Sequence, residues 1–282
     1  HHQLQRNRVR LIRGLGSFLD PHCLKVAWDG TEQRVDADIL ILACGTSPAR
    51  SDKFPVDGTT ILDSDTLPSI SLIPRTMTVV GSGVIGVEYA CMMAALGVKV
   101  TLVEQRQKIL EFADGEIVDA LCYHMREMGV VFRLGEEVER VDRRDDGSVV
   151  AALKSHKEIV SASLLYAVGR QGNTESLNLP AAGLTADERG RISVDECFRT
   201  KVPHIYAAGD IIGFPSLASA SMEQGRAAAC YALGTPVQRM AELLPYGIYT
   251  IPEISFVGKN EAELTDDGIP YEVGVARYRE IA

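Results

Sequence analysis

The sequence predicts an α/β chain organised around a parallel sheet, and three observations carry that reading. Over residues 72–168, apolar strand patterns alternate with helical ones, which implies parallel pairing beneath crossover helices. A glycine cluster, Gly81-Ser82-Gly83-Val84-Ile85-Gly86, falls between the first strand and the first helix of that block. The residues before the block read as short strands, so the α/β layer stands as a domain of its own.

In chain order, strand patterns lie at 9–12, 24–28 and 39–43, separated by Gly, Pro and Asp-Gly turn signals. The α/β block opens with a strand at 76–80. A helix at about 84–96 follows, rich in small residues and stopped by Gly97. Another strand occupies 98–103. The helix at 116–128 carries Ile117, Leu121 and Met125 at helical spacing and ends at Gly129. Residues 130–134 return as a strand. Short strands at 138–141, 149–153 and 164–168, with a turn at Asp146-Gly147, read as an antiparallel addition to the sheet. The block closes at Gly169-Arg170. Beyond it come a strand at 204–207, a turn at Gly209-Asp210, an Ala-rich helix at about 219–233 and a linker at 234–245. The last residues, from 246, begin a further unit with a strand at 253–257 and a short helix near 261–264.

A length of 282 residues is enough for two or three compact units. With 46% hydrophobic and 24% charged residues, the composition is that of an ordinary globular chain. A net charge of -9 without any block of Lys or Arg argues against nucleic acid or an anionic membrane as a partner, and so favours small molecules. No apolar run is long enough for a membrane span, and no charged segment leads into an apolar export signal. The six cysteines, Cys23, Cys44, Cys91, Cys122, Cys197 and Cys230, show no metal-ligand or redox-pair spacing. They fit buried apolar sites in a reducing cytoplasm, and no metal is expected.

The chemistry concentrates at the glycine cluster. Placed between a strand and a helix, Gly81 allows a tight turn, Gly83 lets a pyrophosphate approach the backbone, and Gly86 lets helix and strand pack closely. The N–H groups of the loop and the positive helix end are then available to an anion. Such a strand–loop–helix unit is a Rossmann-like dinucleotide site. Glu104, at the end of the second strand, is placed to accept hydrogen bonds from the adenosine ribose, which favours NAD(H). Arg106, two residues on, leaves NADP(H) open, since an inward-turned guanidinium would offset repulsion of a 2′-phosphate. Glu88 lies in the first turn of the helix, where its carboxylate also gains from the helix dipole. The strand running into Gly209-Asp210 sets one carboxylate at a strand's C-terminal edge.

Taken together, residues 39–45, the glycine loop, Gly169-Arg170 and the Ala207-Ala208-Gly209-Asp210 turn resemble the FAD-dependent pyridine nucleotide-disulfide oxidoreductase superfamily. Within it, residues 166–174, Pro215 to Ala220 with Gln224-Gly225-Arg226, and residues 247–255 are similar to the soluble pyridine nucleotide transhydrogenases. Dihydrolipoamide dehydrogenases usually have Pro where Gly172 stands and His where Ser219 stands.

The resemblance implies a two-dinucleotide-binding-domain flavoprotein fold with FAD, NAD(H) and NADP(H) as cofactors. It implies hydride transfer between NADPH and NAD+ through FAD, with a flavin disulfide reductase or a non-catalytic nucleotide-binding module as alternatives. It assigns Gly81, Ser82, Gly83, Val84, Ile85, Gly86, Glu88, Glu104, Val138 and Gly169 to the nicotinamide nucleotide, with Glu88 near flavin and nicotinamide. To FAD it assigns Gly14, Cys44, Gly45, Thr46, Asp210, Ser216, Leu217, Ala218 and Ser219. Cys44 departs from the usual Thr.

The corresponding domains are 1–71 and 171–245 for FAD, 72–170 for NAD(P), and 246–282 as the start of a dimerisation domain, through which the parent protein would form a homo-oligomer. The resemblance also implies that the first FAD loop and the active-site cysteine region would precede residue 1. The chain, which opens on His1-His2 and stops at Ala282 in mid-pattern, accordingly reads as a fragment truncated at both ends.

Overall fold

A computed structural model describes residues 2–237 and 243–276. The described residues form two compact units, one from 2–49 with 170–237 and the other from 50–169 with 243–276. Of the expected linker at 234–245, residues 238–242 lie outside the described residues, as do His1 and 277–282 at the chain ends.

The first unit starts with a short helix α1 (His2–Arg6) and a three-stranded antiparallel meander of β1 (Leu15–Asp20), β2 (Cys23–Trp28) and β3 (Thr31–Asp36). Residues 9–12, expected as a strand, form none: Val9 and Leu11 are exposed and no neighbouring strand pairs with them. The meander's outer strand, TEQRVD, escapes a hydrophobic-pattern reading because it is a mostly exposed edge with nothing to bury. Next come β4 (Leu40–Leu42) and β5 (Thr46–Pro48), after which the chain enters the second unit.

There β6 (Ile61–Leu62) is followed by β7 (Thr76–Val80), α2 (Val84–Ala95), β8 (Lys99–Glu104), α3 (Gly115–Glu127) and β9 (Val131–Leu134). Strands β10 (Val138–Arg143), β11 (Val149–Leu153) and β12 (Glu158–Ser161) make a separate antiparallel sheet. Strand β13 (Ser163–Tyr166) completes a five-stranded parallel sheet of order β6-β13-β7-β8-β9. The 164–168 segment, expected among the antiparallel strands, is thus an inner strand of the parallel sheet. Its four residues are all buried, as a continuous apolar run between two neighbours requires. Residues 50–71 pack with this unit because β6 pairs with β13.

Helix α2 buries Gly86, Val87, Ala90, Cys91, Met93 and Ala94, small enough to bring the helix close to the sheet. Helix α3 begins at Asp114, whose carboxylate accepts the Glu116 N–H at 3.1 Å, and buries Val118, Leu121, Cys122 and Met125 at helical spacing. These side chains and Leu102 fill one face of the sheet. On the other, Val80, Val103 and Tyr166 pack with Val138, Val141 and Val149 of the antiparallel sheet.

The chain returns to the first unit with β14 (Arg170–Gly172), antiparallel to β5, and β15 (Ile205–Ala207), parallel to β4. Helix α4 (Ala218–Ala232) buries Ala220, Gln224, Ala227 and Ala228. A closing hairpin, β16 (Tyr246–Ile248) with β17 (Ile254–Phe256), adds Ile248 and Ile254 to the core beneath α2 and α3 and is followed by α5 (Glu261–Asp266). Among the described residues no helix is long and apolar enough to cross a membrane.

Candidate functional site

The glycine loop sits at the C-terminal edge of the parallel sheet, between β7 and α2. Its closeness to the neighbouring chain dictates two of its glycines. A Cβ on Gly81 would stand 2.5 Å from the Ala167 carbonyl oxygen, and one on Gly86 would stand 2.0 Å from the Gly81 carbonyl oxygen. Gly81 also has a φ of +100°, which disfavours a side chain. A Cβ on Gly83, by contrast, meets no atom within 4 Å. Gly81 and Gly86 are required by the fold, while Gly83 leaves open space in front of the helix.

Donors converge on that space. Gly81 N–H is used by the Val103 carbonyl at 2.9 Å and Ser82 N–H by Glu104 at 2.8 Å. The N–H groups of Gly83, Val84, Ile85 and Gly86 have no partner among the described residues. The first intrahelical bond runs from Val87 N–H to the Gly83 carbonyl at 3.0 Å, and Gly83 caps the helix without a side-chain bond. Four free donors at a helix start, beside a half-exposed backbone at residues 83–85, form a cradle for a phosphate.

Glu104 is buried, at 5% exposure, and its carboxylate is heavily engaged. Oε2 accepts Ser82 N–H and Ser82 Oγ–H, each at 2.8 Å, and Arg106 Nη2–H at 3.0 Å. Oε1 accepts the Arg106 backbone N–H and Nε–H, both at 3.0 Å. Burial alone would raise the pKa of this acid. The hydrogen bonds from Arg106 and Ser82 outweigh burial and hold it down to about 2. Glu104 therefore ties the glycine loop to the end of β8. The inward turn of Arg106, one of the two options its spacing left open, is seen here, whereas the tie from Glu104 to Ser82 has no signature in the sequence.

Of the other residues expected at this site, Glu88 lies in α2 just past its first turn rather than in it, because the helix starts at Val84, and its Oε1 accepts the Tyr249 N–H at 2.7 Å. Val138 is buried in the core shared with Val80 and Val103. Gly169 follows β13 with a φ of +123°.

In the first unit, β4 and β15 run parallel, so Cys44-Gly45-Thr46 and Gly209-Asp210 emerge at the same C-terminal edge. The Thr46 hydroxyl donates to Asp210 Oδ2 at 3.2 Å and accepts Arg170 Nε–H at 2.7 Å. Arg170 Nη2–H also donates to the Thr46 carbonyl at 2.7 Å. Asn173 donates its amide to the Cys44 carbonyl at 2.9 Å, and the buried Gln224 accepts Gly209 N–H at 2.8 Å. Arg170, Asn173 and Gln224 thus support the edge, a role that their motifs alone do not assign.

Ser216, Leu217, Ala218 and Ser219 form the entry to α4, with Leu217 as its N-cap. Gly14 is close-packed against β2, where a Cβ would meet Val26 and Ala27, so the fold by itself requires a glycine there. Cys23, Cys91 and Cys122 are buried as expected. Cys44 is exposed just past the end of β4, and Cys197 and Cys230 are half-buried, so these three do not fit the buried expectation.

A parallel sheet with a glycine turn and free helix-start donors at its edge is the architecture of a dinucleotide-binding fold. The chain belongs to the pyridine nucleotide-disulphide oxidoreductase family, whose sequence model matches residues 2–225. It is 53% identical over 282 residues to a soluble pyridine nucleotide transhydrogenase of Mycobacterium bovis, covering 99% of this chain and 60% of that protein. A protein of the same description from Colwellia psychrerythraea is 46% identical, with 98% and 60% covered. The chain thus spans about 60% of the length of these relatives.

Among solved structures, LpdA from Mycobacterium tuberculosis superposes with a TM-score of 0.88 at 30% identity, covering 94% of this chain and 60% of that one. The HOCl-induced flavoprotein disulfide reductase RclA from Escherichia coli gives 0.85 at 28%, covering 95% and 61%.

Proposed function

We propose that this chain is part of a flavoprotein oxidoreductase that transfers hydride between NADPH and NAD+, a soluble transhydrogenase with FAD, NAD(H) and NADP(H) as cofactors. The observation that carries the proposal is the set of four N–H groups at Gly83–Gly86 without a partner among the described residues, at a helix start where Gly83 leaves open space. The names of the relatives at 46–53% identity support the choice of reaction.

In this reading the loop residues Gly81, Ser82, Gly83, Val84, Ile85 and Gly86 bind the pyrophosphate, and Glu104 fixes the loop at the ribose end. Glu88, Val138 and Gly169 line the remainder of the nicotinamide nucleotide site. Asp210, bonded by the Thr46 hydroxyl that Arg170 in turn holds, accepts from the hydroxyl-bearing chain of FAD. Cys44, Gly45 and the entry to α4 at Ser216–Ser219 lie along the same cofactor, and Gly14 lies toward its adenine. FAD, when bound, supplies the two-electron relay between the nucleotides; the protein's contribution is to bind, orient and keep water away.

No protein acid or base is required by a hydride exchange of this kind. The segments 1–49 and 171–245 serve FAD, 50–170 serves NAD(P), with 50–71 joining the parallel-sheet unit rather than the FAD segment the sequence suggested, and 246–282 leads into a part through which the whole protein forms a homo-oligomer in the cytoplasm.

The full-length protein is expected to reduce an NAD+ analogue at the expense of NADPH without an added disulfide. Turnover only in the presence of a disulfide substrate would instead favour the flavoprotein disulfide reductase reading, which the likeness to RclA supports.

A further inference from the structure

The Glu104 carboxylate receives five hydrogen bonds from the protein, more than the roughly four lone-pair positions a carboxylate offers. A ribose hydroxyl can bond to it only by displacing a donor. The donors differ in how readily they leave. Ser82 is fully buried, and withdrawing its N–H or hydroxyl would orphan a polar group and loosen the glycine loop. The Arg106 backbone N–H is fixed by the chain. The Arg106 side chain is 42% exposed and has a second carboxylate in reach, Glu111, with Nη1 3.5 Å from its Oε2. Its guanidinium is therefore the one donor that can move without cost to the core, and a guanidinium suits a phosphate in two-point contact.

We propose that Arg106 is a specificity-determining residue that lets one nucleotide site accept both NADP(H) and NAD(H). Facing a 2′-phosphate, the guanidinium stays between Glu104 and the phosphate, binds the phosphate and screens it from the carboxylate. Facing a 2′-hydroxyl, it swings toward Glu111 and solvent and releases an oxygen of Glu104 to the ribose. Glu104, which by itself would reject a 2′-phosphate, thereby becomes compatible with it. This inference rests on the reading of the Gly81–Gly86 loop as a nicotinamide nucleotide site.

The test measures affinities of this chain for ADP-ribose and 2′-phospho-ADP-ribose, and for NADH and NADPH, in the unsubstituted protein and in Arg106→Gln and Arg106→Lys. In Arg106→Gln, the preference for the 2′-phosphorylated member of each pair is expected to fall about 10- to 100-fold, the worth of one or two charge-assisted bonds. Arg106→Lys, which keeps the charge but loses the planar fork, should lie between. Added salt should weaken 2′-phosphorylated ligands more steeply than unphosphorylated ones, and Arg106→Gln should remove that difference.

A purely structural Arg106 would weaken both ligands alike; a ratio within about threefold of the unsubstituted protein's in both variants, well short of one charge-assisted bond, overturns the proposal. If the unsubstituted chain binds neither ADP-ribose nor its 2′-phosphate, the nucleotide site itself is wrong. If it binds ADP-ribose and the ratio is insensitive to position 106, only the role of Arg106 is wrong. Should Arg106→Gln fail to fold, as judged by its melting transition, Arg106→Lys decides by the same ratio.

Discussion

Replacing Glu104 by Gln removes a charge at the junction of the glycine loop and β8. The carboxylate is held near 2 in the folded chain, against an ordinary value of 4.5. An acid with a depressed folded pKa contributes stability that is present above its unfolded value and lost as pH falls through the folded one. Because the Arg106 side chain is 42% exposed, part of its attraction is screened. The contribution at pH 7 is then about 2 kcal/mol, below the full linkage value.

The Gln amide also sets an NH2 group against donors from Ser82 or Arg106, which adds to the loss. Glu104→Gln should therefore melt about 4–8 °C lower than the unsubstituted chain at pH 7. The gap should narrow as both proteins are taken from pH 5 toward pH 2, the window between the two pKa values. Calorimetry or circular dichroism at several pH values measures both quantities. Equal melting temperatures at pH 7, or a gap that persists undiminished at pH 2, would refute the reasoning.

The glycine loop yields a contrast between fold and ligand. Gly86→Ala forces a Cβ against the Gly81 carbonyl and should destabilise the chain by about 1–3 kcal/mol. Gly83→Ala meets nothing within 4 Å and should leave the melting temperature alone while weakening nucleotide binding about tenfold or more; unaltered binding would show that the phosphate lies elsewhere. Glu88→Ala removes the acceptor of the Tyr249 N–H, so hydrogen exchange at the Tyr249 amide should quicken about five- to tenfold. An unchanged exchange rate there would mean that the bond does not hold the segment in solution.

The strand–loop–helix at 76–95 was legible because its glycines, buried small residues and period all answer to one local requirement. The parallel place of β13 was not. A short, mostly apolar run fits an antiparallel or a parallel neighbour equally well, and only the pairing with β6 and β7 decides. The edge strand β3 was missed because an exposed strand leaves no apolar signature.

At the candidate site, Glu104 was found by its position after β8, but its partners Ser82 and Arg106 emerge only from the folded geometry. Gln224 and Arg170 carried a motif without a role until Gly209 and Thr46 were brought beside them. Gly172 also has a physical reason. Its N–H donates to the Arg189 carbonyl at 2.8 Å, and a Cβ would stand 2.0 Å from the Gly190 carbonyl.

The claim on which the rest depends is that the Gly83–Gly86 amides hold a nucleotide pyrophosphate. Titrating ADP-ribose into the isotopically labelled chain and following its amide resonances tests that claim most directly. Saturable shifts centred on Gly83, Val84, Ile85 and Gly86 are predicted, absent with ribose alone. Saturating ADP-ribose that leaves those four amides unmoved would contradict it.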